Sequence, residues 1–186
     1  MEQKLPLFPL HAVLLPGATI GLRVFEPRYL DLVRSGEAFG ITLILEGHEV
    51  GAPAVPAAWG TEARIEDFDV GADGVLVLRL RGARRFHVRQ TRVRDNGLVV
   101  AQVEWCEPDP DDELLPQHAL LATVLERIIE QAGQAYAPER PASMEQAAWV
   151  GWRLAELLPL SEGQRLALLQ EADPHRRLDQ LLAWIP

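Results

Sequence analysis

The spacing of hydrophobic and polar residues changes along the chain, and this change divides the chain near residue 106. Before that point, apolar residues alternate with polar ones or form short runs. This predicts β-strands, because successive side chains of a strand point to opposite faces. After residue 112, apolar residues recur every three or four positions, which predicts helices. The sequence therefore predicts an α+β protein with a β-rich part (1–106), an acidic linker (107–112) and a helical part (113–186).

Turn signals separate the predicted strands. Prolines interrupt the apolar run 5–15, which indicates an edge or irregular strand, and the Gly-, Pro- and Ala-rich segment 46–58 predicts a surface loop. Asp95-Asn96-Gly97 is typical of a hairpin turn. The alternation within 60–70 places Ala63, Ile65 and Phe68 inward. We expect six or seven strands in a closed or partly closed barrel, with the strands after the first at 19–25, 39–45, 60–70, 75–80, 86–93 and 98–105.

One short helix is predicted inside the β-rich part and four after the linker. The short helix covers 26–35, because Pro27 suits a first helical turn and Gly36 a C-terminal cap. The first C-terminal helix has its main apolar face at Leu120, Val124, Ile128 and Ala132, widened by Leu121, Leu125 and Ile129. A loop is expected at 137–142. Three start signals then follow, namely the capping boxes Ser143–Gln146 and Ser161–Gln164 and the pair Asp173-Pro174.

Several segments of the sequence resemble the N-terminal domain of the ATP-dependent Lon proteases. They are LPLFPLHAVLLPGATIGLRVFEPRYLDLV (5–33), GTEARI (60–65), DGVLVLRLRGARRFHV (73–88) and DPHRRLDQLLAWI (173–185), and they follow the family's order across almost the whole chain. The resemblance implies a pseudouridine-synthase-like (PUA-like) β-barrel followed by a helical bundle. It also implies a role in recognising substrates and holding an oligomer together.

The sequence lacks the residues that Lon uses for catalysis. A nucleotide-binding P-loop requires a lysine after a glycine-rich loop, and a Ser-Lys dyad requires a buried lysine. Lys4 is the only lysine, beside seventeen arginines, and no glycine-rich loop precedes it. Ser143 and Ser161 are explained as helix caps. We therefore predict no enzymatic activity.

Cysteine and histidine positions give no pattern typical of a metal or cofactor site. A single cysteine, Cys106, allows neither an intramolecular disulfide nor a cysteine-based zinc site, and the five histidines are not spaced as ligand pairs. We predict no metal and no cofactor. A buried, inert thiol is the usual state of such a cysteine. A hydrolase that uses Cys106, or histidines brought together by folding, is the remaining alternative.

The composition fits a protein of the reducing cytoplasm. The N-terminal residues lack a signal-peptide cleavage site and read as a first strand. No apolar stretch is long enough to span a bilayer. The net charge of −9 disfavours nucleic acids and anionic membranes as partners unless a basic patch is present.

Three groups of residues are candidates for binding. The first is Arg23, Phe25, Glu26, Arg28 and Tyr29, which resemble a characteristic segment of the family. Within this group, a structural role also fits: Glu26 and Arg28 would pair at the start of the helix, with Tyr29 in the core.

The second group is the tryptophans. Trp59 follows the predicted loop, and Trp149 and Trp152 lie three apart on one helix. These two would anchor an apolar peptide if exposed, or else pack against the barrel.

The third group is an arginine run that includes Arg85. It could contact phosphates, although strand alternation and acidic neighbours also account for it. Its members are Arg79, Arg81, Arg84, Arg85, Arg89, Arg92 and Arg94.

We predict from these observations a non-catalytic protein- or peptide-binding module. Its ligand would be a substrate polypeptide or partner protein, held in an apolar groove between barrel and helices. The alternative is RNA or nucleotide binding through the arginine-rich strand face. The sequence leaves the oligomeric state open.

Overall fold

The computed structural model describes residues 2–132 and 144–185. The chain divides into two compact units, Met1–Glu107 and Pro108–Pro186, and each is considered by itself. The predicted loop at 137–142 and Ser143 of the first predicted capping box lie outside the described residues. The fold is mixed α+β, with six strands and five α-helices in the described residues.

The N-terminal unit is built on one six-stranded sheet. Its strands are β1 (Glu2–Leu10), β2 (Thr19–Val24), β3 (Phe39–Glu46), β4 (Val55–Val70), β5 (Leu76–Val93) and β6 (Val99–Trp105). Their order in the sheet is β2-β5-β4-β3-β1-β6, with a further pairing between β5 and β6. The pairings connect β5, β4, β3, β1 and β6 into a ring of hydrogen-bonded strands. Among the described strands, β2 pairs only with β5.

The first strand changes partners at its middle. Residues 2–6 pair with β6, and residues 7–10 pair in parallel with β3. Among the described strands, each half of β1 therefore forms strand hydrogen bonds on one side only. Proline has no N–H group to donate, and Pro6 and Pro9 are tolerated where one side of the strand needs no donor. The irregular strand that the prolines predict is confirmed, and each half of it has a described strand partner on one side only.

The core of this unit is centred on Phe86 of β5, which is fully buried among Leu5, Leu7, Ala101 and other apolar side chains. Gly40 and Gly60 face its ring so closely that a Cβ atom at either position would lie 2.5 Å from a ring carbon. Both glycines are therefore required by the size of the ring between the strands.

Helix α1 (Pro27–Ser35) is confirmed with its predicted caps. Gly36 ends it in the left-handed conformation, with φ of 72°, and its N–H donates to the carbonyl of Val33. The predicted hairpin turn before β6 is also confirmed, with Gly97 at φ of 89°. These features depend on neighbouring residues alone, which is why the sequence predicts them.

The C-terminal unit contains four described α-helices after a short 3₁₀ turn at Pro116–His118. They are α2 (Ala119–Ala132), α3 (Ala147–Leu157), α4 (Glu162–Gln170) and α5 (Pro174–Trp184). Helix α3 packs against α2 and α5. Arg165 of α4 donates to the carbonyls of Ala155 and Leu158, each at 2.9 Å, and so satisfies groups at the end of α3 that lack helical partners.

The segment predicted as a linker is fixed to this unit at Asp109. The Asp109 carboxylate pairs with Arg177, which is 1% exposed, and accepts the indole N–H of Trp152 at 2.8 Å. The Arg177 guanidinium lies over the Trp152 ring, 4.0 Å from its centroid. The start of the C-terminal unit is therefore held by a buried ion pair.

Several predicted details of the strands are wrong. β5 is continuous where two strands were expected, and β4 begins at Val55, inside the predicted loop. Ile65 and Phe68 are 40% and 68% exposed rather than inward. Their register is interrupted by a shift between Ile65 and Asp67, which disturbs the alternation that the prediction assumed.

Two predicted details of the helices also differ. The buried face of α2 is Leu121, Leu125 and Ile129, whereas Leu120 is 58% exposed. Helix α3 begins at Ala147, later than the predicted capping box, and its cap residue Gln146 forms a bridge with Glu113 instead. The second capping box, at Ser161, and the start at Asp173-Pro174 are both confirmed.

Candidate functional site

A cleft opens in the N-terminal unit where β2 ends and α1 begins. Its empty volume is about 460 Å³. Leu22 and Val24 of β2, the start of α1 and the loop after β3 line it. Four of the five residues of the first predicted group line it as well, namely Arg23, Phe25, Glu26 and Tyr29.

The floor of the cleft is a stacked aromatic pair. The rings of Phe8 and Tyr29 are nearly parallel, with centroids 3.9 Å apart, and both residues are buried. Burial raises the pKa of the Tyr29 phenol, and the nearby carboxylates of Glu26 and Glu49 raise it further, whereas Arg28 acts against them. The phenol is therefore neutral at physiological pH, and the floor consists of two uncharged aromatic rings.

Two exposed apolar side chains form part of the wall of the cleft. Phe25, which lies between β2 and α1, is 59% exposed, and Val50 in the loop after β3 is 46% exposed. A single exposed apolar residue is common on protein surfaces, but two that border the same apolar cleft are typical of a binding site.

Glu26 holds this part of the site in place. One carboxylate oxygen accepts a hydrogen bond from Arg28 Nε at 2.6 Å, and the other accepts the backbone N–H of Gly51 at 2.9 Å. Arg28, which is buried, also donates to the carbonyl of Gly97 at 3.1 Å. The carboxylate thus fixes the helix start to the loop, and its charge is met by Arg28. This is the Glu26–Arg28 pair that the sequence predicts.

The remaining charges of the cleft differ in how they are neutralised. Arg23 is paired with Asp73 at 3.2 Å. Glu49 accepts the backbone N–H of His11 at 3.0 Å, and no ion pair with a cation is seen for it in the described part of the chain. The cleft therefore carries one carboxylate whose charge is not compensated by a neighbouring cation.

Comparison with known proteins identifies the family. The family model of the ATP-dependent protease La (LON) substrate-binding domain matches residues 4–185. The chain belongs to this family. No curated protein sequence matches it significantly.

Two solved structures of Lon N-terminal domains show the same fold. A crystal structure of a Lon N-terminal domain protein from Xanthomonas campestris is 69% identical, with a TM-score of 0.84 and 99% of each chain covered. The N-terminal domain of the Lon protease of Mycobacterium avium complex is 17% identical, with a TM-score of 0.69, covering 98% of this chain and 97% of that chain. The second likeness shows the Lon N-terminal domain fold alone, because its identity is low.

The other predicted binding residues lie outside the cleft of this Lon domain. Trp59 is half-buried in the middle of β4, where its ring lies 4.6 Å from that of His87. Arg85 is buried, with 6% of its surface exposed. Trp152 is also buried, and it contacts Asp109 through its indole N–H and Arg177 through its ring. Trp149, on the same helix as Trp152, is half-buried. Of these residues, none lies in the cleft with Phe25.

In the described part of the chain, five of the seven arginines of the run form ion pairs with acidic residues. Arg79 and Arg81 both pair with Glu66, Arg84 with Glu62 at 3.0 Å, Arg89 with Glu104, and Arg94 with Glu37 at 3.4 Å. The hydrogen-bonded guanidinium groups lower the pKa values of Glu62, Glu66 and Glu104. Arg79, Arg81, Arg84 and Arg89 therefore form cross-strand pairs, and Arg94 pairs between loops, so these arginines do not present an unpaired cationic face.

Metal ligands and Cys106 are the remaining candidates for chemistry that the sequence offers. In residues 2–132 and 144–185, no group of three or more His, Cys, Asp or Glu residues is arranged to hold a metal ion. Cys106 is half-buried, and its backbone N–H donates to the carbonyl of Arg85. The hydrolase alternative that uses this thiol stays a prediction. None of the helices described combines the length and apolar character needed to cross a bilayer.

Sequence reasoning missed five residues that line the cleft: Phe8, Leu22, Val24, Glu49 and Val50. They come from three separate parts of the chain. The only local signal was that Glu49 and Val50 belong to a predicted surface loop, the kind of segment that often carries function.

Proposed function

We propose that this chain is a non-catalytic module that recognises polypeptides through the cleft beside Phe25. An apolar side chain of the bound polypeptide would rest on the Phe8–Tyr29 floor, between Phe25 and Val50. The observation that carries the proposal is the combination of a buried, uncharged aromatic floor with two exposed apolar side chains at one opening.

Family membership supports the same function. The matching model is described as a substrate-binding domain, and the match leaves no segment of these 186 residues large enough for an ATPase or protease domain. Lys4, the single lysine, lies exposed on β1, where its register partner is Gln102. The inferred ligand is a substrate polypeptide or partner protein, and neither a cofactor nor a metal is needed for binding it.

The architecture that we propose for this function has two parts. The ring of strands in the N-terminal unit corresponds to a PUA-like barrel, and the four helices of the C-terminal unit to a helical bundle. We place the site in the N-terminal unit alone, because all residues that line the cleft belong to it. A cytoplasmic location fits the single cysteine. RNA binding is not proposed, because most of the arginines that suggested it are paired with carboxylates.

The proposal is tested with a fluorescent, unstructured peptide that contains one phenylalanine, and with the same peptide carrying serine in its place. Fluorescence anisotropy should show tighter binding of the phenylalanine peptide. The variant Val50→Asp should weaken that binding, because it places a charge at an apolar opening. Val55→Asp is a matched control, because Val55 is 48% exposed but does not line the cleft. Equal affinity of both peptides, or equal effects of both variants, would contradict the proposal.

A further inference from the structure

Strand β2 offers an unused edge of the sheet. Its six residues pair in unbroken register with β5, from Thr19 opposite Arg81 to Val24 opposite Leu76. No other strand in the described part of the chain pairs with β2. The N–H and C=O groups on its second side are therefore without a strand partner, and such a row can accept another chain.

The features that normally protect an edge strand are weak here. Natural edges are blocked by proline, by inward charges or by bulges. β2 contains no proline, its register with β5 has no shift, and its one charged side chain, Arg23, is held by Asp73. At Gly21, a Cβ atom would meet nothing within 4 Å, so no side chain covers this face of the strand there.

The edge leads directly into the cleft. Leu22 and Val24 have the same parity, so they lie on one face of β2, and both line the cleft. A strand added alongside β2 would point every second side chain toward that face. A large apolar side chain at such a position would reach the opening between Phe25 and Val50.

The charge at the cleft favours extended segments that carry a basic residue. Glu49 lies at the cleft without a paired cation among the described residues, and the whole chain has a net charge of −9. A lysine or arginine near the apolar side chain would meet the exposed Glu49 carboxylate and add to the affinity, most strongly at low salt.

We propose that an extended segment of an unfolded polypeptide binds by adding to β2 as a further strand. It places one large apolar side chain in the cleft and a basic side chain beside Glu49. This inference rests on the proposed function and specifies its ligand. Because main-chain hydrogen bonds supply part of the affinity, many sequences with this simple pattern are accepted.

The test uses the full chain and the fluorescein-labelled peptide Thr-Lys-Thr-Phe-Thr-Lys-Thr, in which both lysines share a strand face with the phenylalanine. Two derivatives carry the same number of N-methyl groups, one on the threonines at the third and fifth positions and one on the lysine and phenylalanine at the second and fourth. Neighbouring residues of an antiparallel strand direct their N–H groups to opposite edges, so only one derivative loses bonds to β2. We expect one derivative to bind at least tenfold more weakly and the other within twofold of the parent.

The outcomes separate the inference from the proposed function. If the parent peptide fails to bind, the proposed function fails and the inference with it. If the parent binds and both derivatives bind equally well or equally weakly, strand addition is refuted and polypeptide recognition stands. Glutamate in place of each lysine should reduce binding at least tenfold, and equal affinity would refute the role of Glu49.

Two further measurements locate the contact. Amide exchange should slow on binding at alternate residues of β2, either 19, 21 and 23 or 20, 22 and 24; unchanged exchange throughout β2 would refute the inference. The competing occupant of the edge is a second copy of the chain. In a Cys106→Ser background, Gly21→Cys would then form an intermolecular disulfide without peptide, and that result would also overturn the proposal.

Discussion

Replacing Phe25 with alanine should weaken peptide binding about tenfold. A phenylalanine side chain has about 200 Å² of surface, and Phe25 is 59% exposed, which leaves about 120 Å² for a ligand to cover. If a bound segment covers half of this area, the lost contact is about 1.5 kcal/mol at roughly 25 cal/mol per Å². One factor of ten in affinity corresponds to about 1.4 kcal/mol.

The control for this prediction is Phe68→Ala. Phe68 is 68% exposed in the same unit, but it does not line the cleft. The two substitutions remove the same side chain from similarly exposed positions, so their effects on stability should be similar. Anisotropy titrations with the lysine-phenylalanine peptide should show the tenfold loss only for Phe25→Ala. Equal losses for both variants, or none for Phe25→Ala, would refute the assignment of the cleft.

Three further predictions concern stability and are measured by urea unfolding followed by circular dichroism. Glu62→Gln should make the free energy of unfolding fall less steeply as the pH is lowered into the acid range. The guanidinium paired with Glu62 lowers the pKa of this carboxyl, so the pair stabilises the fold above the unfolded pKa of about 4.3 and ceases to do so as the pH falls through the lower folded pKa. An unchanged acid profile would contradict this. Arg177→Met should cost about 3 kcal/mol, since it leaves Asp109 without its buried partner, and a loss below about 1 kcal/mol would show that the pair is not needed. Gly60→Ala should cost about 2 kcal/mol by overpacking the core, whereas Gly21→Ala, with open space around it, should be neutral, and equal effects would contradict the packing argument.

Local signals predicted the ends of elements well. Gly36, Gly97, Ser161 and Asp173-Pro174 each act through a backbone geometry or a cap that involves only near neighbours. Such effects are the same in a peptide and in a protein. This is why α1, the last hairpin and the last two helices begin or turn where the sequence predicts.

Gly82 shows why the length of β5 could not be predicted. A glycine flanked by two alternating runs indicates a break, yet it lies inside one continuous strand. Its Cβ would lie 2.1 Å from the carbonyl oxygen of Leu15, and its own carbonyl accepts the N–H of Gly17 at 2.8 Å. A glycine is needed here because the backbone near Leu15 and Gly17 approaches it closely. Contacts between distant segments cannot be predicted from a single sequence.

Only part of the candidate site was predicted, because the rest also depends on contacts between distant segments. The segment from Arg23 to Tyr29 was found through family resemblance, and it supplies one wall of the cleft. Phe8 and Val50, which complete the cleft, come from distant segments that meet only after the strands have paired. The tryptophans were predicted as binding residues because of their residue type. Trp152 instead packs in the core of the C-terminal unit, where Asp109 accepts its indole N–H.

The distribution of charge favours polypeptides over nucleic acids as ligands. The arginines of the sheet are largely paired, so the excess of acidic residues dominates the long-range field, which repels phosphates and attracts basic segments. This attraction is screened by salt over about 10 Å at 0.1 M, whereas apolar contact with the Phe8–Tyr29 floor is not. Rising salt should therefore reduce the affinity for a basic peptide toward that for a neutral one of equal apolar content and leave the neutral peptide nearly unchanged. A ligand held mainly by charge would instead be released completely, so the salt profile separates the contribution of Glu49 from that of Phe25.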